Sequence, residues 1–404
     1  MKILLVAGRD PWPPRRGDQL RANQILRALG ESHRVTVLAP RSAALGTAAA
    51  QSPAPASPVR VERYRRTFAE RGIGLLSAAL AGRPLQSGLY VARDLERRLA
   101  ALAEGADLVI VQLARLERVV ARLRAHAPPV PVVVDLIDAL SLGVSSRARV
   151  DRLPSRPLLR LEAKRLRRLE RRLVGGSAAA MVVAARDRAA IAGADELLLG
   201  RLRVVPLALE PEPESDRPSG GCFQAAPRVV LTGNLGYFVN RDATRWALRQ
   251  LWPRLRAARP EVELVVAGAR PDAGLRRELV GAGVRLVADP PDLGAVLAGA
   301  SVALAPMRCG SGTPVKVLEA WAAGVPVVAS PYAAAGTEAV AGRELLVAER
   351  PDEWINSILQ LLDEPAMGAR LSAAGRRLLE REHSLRRVRE ALATVLDAAT
   401  GPLC

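Results

Sequence analysis

Residues 305–330 read APMRCGSGTPVKVLEAWAAGVPVVAS. Two short apolar runs are separated by a glycine-rich loop and an amphipathic stretch, which predicts a strand, a loop, a helix and a second buried strand. Gly310 and Gly312 allow backbone N–H groups to come close to a ligand, and the helix that follows aims its positive end at the same place. Of 59 basic residues in the chain only Lys2, Lys164 and Lys316 are lysines, and Lys316 falls in the first turn of that helix. A cation beside loop amides suits a phosphate or a diphosphate. Glu319, one turn on, can accept hydrogen bonds from the vicinal hydroxyls of a sugar. These residues describe half of a nucleotide-sugar pocket; the other reading of the same spacing is a helix with one solvated lysine and one solvated glutamate.

A chain of 404 residues is long for a single core and predicts two domains. Hydrophobic content of 49% with 25% charged residues is that of a water-exposed globular protein. Met1-Lys2 runs directly into KILLVAG, too short for a signal core, and no run of about 18 apolar residues occurs. A cytoplasmic protein is expected. Cys222, Cys404 and Cys309 are scattered, as are His33, His126 and His383. That spacing argues against zinc or a disulfide framework, and no metal is expected.

Most of the charge excess belongs to one half. Residues 1–210 carry 36 Lys/Arg against 19 Asp/Glu, and residues 211–404 carry 23 against 22. Aromatics are 3% of the chain and no nucleic-acid-reading motif is present, so a nucleic-acid partner is not expected. The arginines point instead to an anionic acceptor or an anionic membrane surface, unless they reflect composition alone.

Strands are predicted at Ile3–Ala7, Val35–Ala39, Leu108–Val111, Val132–Leu136 and Met181–Ala184, continuous and β-branched as in parallel sheets covered on both faces. Asp18 is expected to cap a helix that runs to Leu29 and ends at Gly30. Residues 157–174 form a helix with Leu159, Leu166, Leu169 and Leu173 on one face and arginines elsewhere. Such a basic face can lie on a membrane or be solvated. Residues 211–227, rich in Pro, Gly and acid, read as a linker. Strands resume at Val229–Leu231, Val262–Ala267, Val284–Val287, Val302–Ala305, Val327–Ala329 and Leu345–Val347, with a helix near Asp242–Leu255.

Three strand-end segments carry further candidates. The loop Asp10–Asp18 offers Arg15 and Arg16 to a negative group and Gly17 for close approach, or is a rigid proline turn. Asp135 and Asp138 leave a buried strand three residues apart and can orient a hydroxyl or act as general base; Asp138 and Ser141 can equally cap a helix. Thr232-Gly233-Asn234-Leu235-Gly236-Tyr237 is a second glycine loop suited to phosphate or sugar.

With these segments together, nearly the whole chain resembles retaining GT-B glycosyltransferases of group 1 (family 4), especially sugar transferases of bacterial polysaccharide clusters. The segments that carry the likeness are ILLVAGRDPWPPRRGDQLRANQILRAL, VVVDLIDALS, GNLGYFVNRDATRW and, most specific, GSGTPVKVLEAWAAGVPVVAS. The resemblance implies an α/β fold of two facing Rossmann-like domains with a cleft between them. An acceptor-side domain would span 1–210, the linker 211–227 and a nucleotide-sugar domain 228–384. A closing helix at 385–404 would pack back on the first domain. It implies donor contacts from Gly233, Asn234, Arg308, Gly310, Ser311, Gly312, Thr313, Lys316 and Glu319, with Lys316 on the diphosphate and Glu319 on the ribose. Arg15, Arg16, Gly17, Asp18 and Asp135 would face the acceptor, with Asp138 and Lys316 at the chemistry.

By the same resemblance the acceptor is a hydroxyl compound, anionic or lipid-linked, and reaction proceeds with retention and without cofactor or metal. The charge split, and not the resemblance, adds the expectation of peripheral contact with a membrane through the basic domain. The chain departs from the pattern at Ser311, where a family E-x7-E motif would place a carboxylate, and at Val205-Pro206-Leu207-Ala208, where V-P-N-G is usual. An epimerase or hydrolase with the same donor pocket, and a non-catalytic partner subunit, remain alternative readings.

Overall fold

The apolar runs become strands because each is covered on both faces. In Leu108–Gln112 every residue is buried. Along the first strand Leu4 and Val6 enter one core while Ile3 and Leu5 enter another, the two-residue alternation of a strand between two helical layers. The computed structural model describes residues 1–14, 16–41, 59–125, 129–151, 153–211 and 226–401. Arg15, His126, Cys222, Cys404 and residues 212–225 of the predicted linker lie outside them.

The chain divides into two compact units, Met1–Ala208 with Leu385–Cys404, and Leu209–Ser384. In the first unit seven strands are parallel: β1 (Lys2–Val6), β2 (Arg34–Pro40), β3 (Arg60–Tyr64), β4 (Leu108–Gln112), β5 (Val132–Ile137), β6 (Ala179–Val182) and β7 (Leu202–Val204). Their order is β3-β2-β1-β4-β5-β6-β7. One core face is closed by the Gly17–Leu29 helix and by the final helix Leu385–Thr400. The final helix contributes Val388, Leu392, Val395 and Leu396, each of which stabilises by about 1.5–3 kcal/mol when fully buried.

The second unit repeats the plan with six parallel strands: β8 (Arg228–Thr232), β9 (Glu263–Gly268), β10 (Arg285–Ala288), β11 (Val302–Ala305), β12 (Val327–Ala329) and β13 (Leu346–Val347). Their order is β10-β9-β8-β11-β12-β13. In both sheets the order reverses beside the first strand of the unit, and ligands of such sheets collect at the strand C-terminal ends there.

Four local expectations need correcting. Strand β3, RVERY, and the short β7 went unpredicted because they are edge strands with polar residues at alternate positions. Strand β6 begins two residues earlier than Met181. The helix expected near Asp242–Leu255 starts at Phe238 and is interrupted by a widened π-type turn at Ala247–Leu251 before continuing as Trp252–Ala258. Pro253 has no N–H to donate to the preceding turn, which accounts for the break there. Asp18 does not cap its helix: the helix begins at Gly17, with Arg16 at the cap and no side-chain cap bond.

Candidate functional site

In the second unit the loops after β8 and β11 adjoin the reversal of strand order. Side chains tie the β11 loop to the helix Phe238–Trp246, which follows the β8 loop. The Arg308 guanidinium donates two hydrogen bonds to the Asp242 carboxylate, at 2.6 and 3.0 Å. A Cβ on Gly310 would lie 3.5 Å from a Val239 methyl. Gly310 has φ +131° and Gly312 φ +70°, conformations that L side chains rarely adopt, so the loop needs glycine at both.

This loop is also braced from the following strand. The Ser330 hydroxyl donates to the Met307 carbonyl at 2.5 Å, and the Tyr332 hydroxyl donates to the Gly310 carbonyl at 2.6 Å. Sequence reasoning passed over both residues; the Ser-Pro-Tyr after the last apolar run was their only signal. The β8 loop shapes itself: the Asn234 side-chain oxygen accepts from the Gly236 amide at 3.1 Å, and the Asn240 amide donates to the Asn234 carbonyl at 3.0 Å. Gly233 has φ +142° and lies against the Asn240 side chain.

From this loop the helix Val315–Ala322 begins. Lys316 sits in its first turn, 8% exposed, and its ammonium has no hydrogen-bond partner among the described residues. Burial pushes the Lys316 pKa down to about 8, with Glu319 opposing that shift. The half-buried Glu319 is raised by desolvation and lowered by Lys316. A buried ammonium without a partner, at the positive end of a helix, is costly in itself. An anion at the helix start removes that cost, because it supplies the missing acceptors and opposes both positive charges. Ser311 is half-buried, and Gly312 and Thr313 are buried in the same loop. The predicted donor residues of the second unit therefore all lie on two adjoining loops and one helix start, and Arg308 is there as half of an ion pair.

The first unit treats its candidates differently. Asp135 is fully buried, accepting from Arg21 Nε at 3.2 Å and from the Ile137 amide at 3.2 Å. Burial pushes its carboxyl up while Arg21 pulls it down. It holds the Gly17–Leu29 helix to β5 and is not presented to a ligand, contrary to the acceptor-side expectation. Arg21 is itself 0% exposed and spends its other two nitrogens on the Pro206 carbonyl, at 2.8 Å, and the Met181 sulfur, at 3.6 Å. Asp18 pairs with Arg9 at 3.0 Å. Arg16 and Gly17 are exposed at the helix start.

Asp138 is half-buried in the turn after β5, following Ile137 at φ +66°. A β-branched residue in that region is strained, by about 1–3 kcal/mol, and such strain persists only where the surroundings hold it. Two buried carboxylates do so: Asp187 accepts from the Ala139 amide at 2.9 Å, and Glu170 accepts from the Ser141 amide and hydroxyl at 3.0 and 2.5 Å. The helix after this turn, Leu140–Val150, has Ala139 at its cap, so neither Asp138 nor Ser141 caps it. Asp10, also unpredicted, shapes the β1 loop through the Trp12 amide at 3.2 Å and Arg63 at 3.1 Å.

Residues 226–364 match the family model described as glycosyl transferases group 1. A search of curated proteins found no match. Among solved structures, the chain is similar to Anabaena HepE in complex with UDP-glucose, at 15% identity and TM-score 0.68, covering 98% of this chain and 100% of that one. It is similar to sucrose-phosphate synthase of Thermosynechococcus elongatus at 17% identity and TM-score 0.67, covering 98% of each chain. A third is the trehalose-phosphate synthase of Burkholderia xenovorans in complex with glucose-6-phosphate, at 15% identity and TM-score 0.65, covering 98% and 99%. These likenesses establish the architecture as GT-B, and the family match lies within the second unit.

Proposed function

We propose that this chain is a glycosyltransferase that moves a sugar from a nucleotide-sugar donor to an acceptor hydroxyl with retention of anomeric configuration. The observation that carries the donor half is the buried, unpartnered Lys316 ammonium at the start of a helix, beneath a loop held in place by Gly310, Gly312 and Tyr332. In this reading Lys316 and the loop amides hold the diphosphate, and Glu319 takes the ribose hydroxyls. The acceptor oxygen attacks the anomeric carbon on the leaving-group face, the bond from that carbon to the phosphate oxygen breaks, and the departing phosphate takes the hydroxyl proton. Asp138, in its strained turn, orients the acceptor. The charge that builds on the leaving group is offset by Lys316 and the helix start, so no divalent cation is needed.

The acceptor is read as anionic or lipid-linked. Support comes from the excess of 36 basic over 19 acidic residues in 1–210 and from a structural neighbour captured with glucose-6-phosphate. The route served is one that builds a polysaccharide, a glycolipid or a natural product, in keeping with the family 4 resemblance.

One screen tests the reading: donor hydrolysis and transfer over UDP-, GDP- and dTDP-sugars, repeated in excess EDTA. Release of nucleoside diphosphate from one donor class, unchanged by EDTA, is expected, and product NMR reports the anomeric configuration. Turnover of no donor would sink the catalytic reading. Loss of turnover in EDTA, with recovery on adding Mg²⁺, would sink metal independence alone.

A further inference from the structure

The Phe68–Leu80 helix of the first unit is packed inside out. Its buried residues are Gly74 and Ala78, whereas Phe68, Ile73, Leu76 and Leu80 are 85%, 66%, 63% and 82% exposed. The cause is a backbone crossing. A Cβ on Gly74 would lie 2.1 Å from the Gly88 carbonyl oxygen, and one on Gly88 would lie 2.4 Å from that of Gly74. Only a glycine face can approach so closely, so the large side chains are turned outward. The helix start is held as well, by a Thr67–Glu70 capping box and by Glu70 accepting from the Arg93 amide at 3.0 Å. Phe68, Leu76 and Leu80 recur at multiples of four with Ile73 one turn from Leu76 and two from Leu80, so the outward side chains share one stripe. A rigid stripe of this kind marks an interaction surface.

Its neighbourhood is basic. The Leu85 and Gln86 amides donate to the Glu162 carboxylate at 3.1 and 3.3 Å, which sets the Arg156–Gly175 helix beside the turn that follows the stripe. Both carboxylates of that helix, Glu162 and Glu170, are buried. Its outer face shows Arg160, Lys164, Arg167 and Arg168, together with Leu158 at 57% and Leu161 at 46% exposure. We propose that this face docks on an anionic lipid bilayer, with Phe68, Ile73, Leu76 and Leu80 entering the acyl boundary and the basic helix meeting the headgroups. Apolar side chains beside a basic helix that shows no exposed carboxylate are what an anionic interface selects. A second copy of the chain would bring the same positive excess against itself. No helix of the described residues is long and apolar enough to cross a membrane, so the contact lies on the surface. The proposal stands on this face alone and does not depend on which sugar is transferred.

The full chain is sedimented with phosphatidylcholine vesicles with and without phosphatidylglycerol. Binding to the anionic vesicles is expected, and the triple variant Ile73→Gln/Leu76→Gln/Leu80→Gln should weaken it by about tenfold or more, since burial of apolar area supplies the anchor. The same variant should hydrolyse donor at the wild-type rate, which separates failure here from failure of the transfer reading. A second protein, Leu76→Trp, should be quenched by brominated lipid in anionic vesicles only; that readout decides the matter if the triple variant does not fold. Equal sedimentation of variant and wild type, or no quenching of the introduced tryptophan, overturns the proposal. So does a wild-type protein that ignores vesicles, whether it is a monomer or a dimer that the triple variant dissociates.

Discussion

Arg21 and Lys316 are both buried cations on a helix that follows a central strand, one in each unit, and they have opposite fates. Each Arg21 nitrogen has a partner: Asp135, the Pro206 carbonyl or the Met181 sulfur. The Lys316 ammonium has none among the described residues and only Glu319 as a charged neighbour. A cation whose donors are all taken is part of the scaffold. One left without acceptors in a buried place is waiting for them, and that difference separates a residue that holds the fold from one that holds a ligand.

The sharpest way to break this comparison is Arg21→Met, which leaves Asp135 buried and uncompensated. Removing one partner of a buried pair costs about 3–5 kcal/mol, to be read as a shift of the first unit's transition in urea. Nucleoside diphosphate affinity of the folded protein should stay as in wild type. A stable Arg21→Met protein would mean that the pair is dispensable.

Lys316→Met should act in reverse. Affinity for nucleoside diphosphate falls by about 1.5–3 kcal/mol, the worth of a charge-assisted hydrogen bond, by calorimetry. The ligand-free protein should gain stability in a thermal melt, because an unpartnered ammonium is no longer buried. Unchanged affinity would remove Lys316 from the donor site.

The titration of Lys316 sharpens the same point. Its folded pKa is lowered from 10.5 to about 8. The fold therefore bears the penalty of the charged form fully below about pH 8 and sheds it as pH rises towards 10.5. An anion binds the charged form, so affinity should fall above pH 8 by up to about tenfold per pH unit. A flat profile from pH 7 to 9.5 would contradict the assignment.

The smallest effect belongs to Glu170, whose pKa is raised to about 7, mainly by burial, with Asp138 and Asp187 adding like charge and Ser141 opposing. A raised carboxyl favours the protonated fold. Stability from this group should therefore decline as pH rises from about 4.5 to about 7 and level off above, by on the order of 1 kcal/mol or more. Glu170→Gln should remove that slope in pH-dependent melts while keeping an acceptor for the Ser141 amide. If the variant retains the slope, another group carries it.

Much of the scaffold was legible because it obeys one rule: a parallel strand buried on both faces has to be an uninterrupted apolar run. β1 and β11 show this, and β5 breaks it only at Asp135, whose charge Arg21 meets; the glycine loop before Lys316 was legible for another reason, that its conformations admit little else. Where one side is open the rule lapses, which is why RVERY at β3 was invisible. The closing helix likewise shows an apolar face, but its periodicity by itself does not say which unit it completes; it packs beside the Gly17–Leu29 helix.

Sequence by itself determined the two α/β sheets, the glycine-loop helix start and the presence of a rare lysine in it, since each follows from local sterics and periodicity. Tertiary structure decided which charges are free. Asp135 looked like a ligand group until Arg21, 114 residues away, was found on its carboxylate. Arg308 looked like a lone cation until Asp242 closed on it. The Phe68–Leu80 helix would bury its large residues on any local reading, and only the Gly74–Gly88 crossing turns them outward. A side chain's partner depends on what the fold brings within 3 Å, and no periodicity along the chain records that distance.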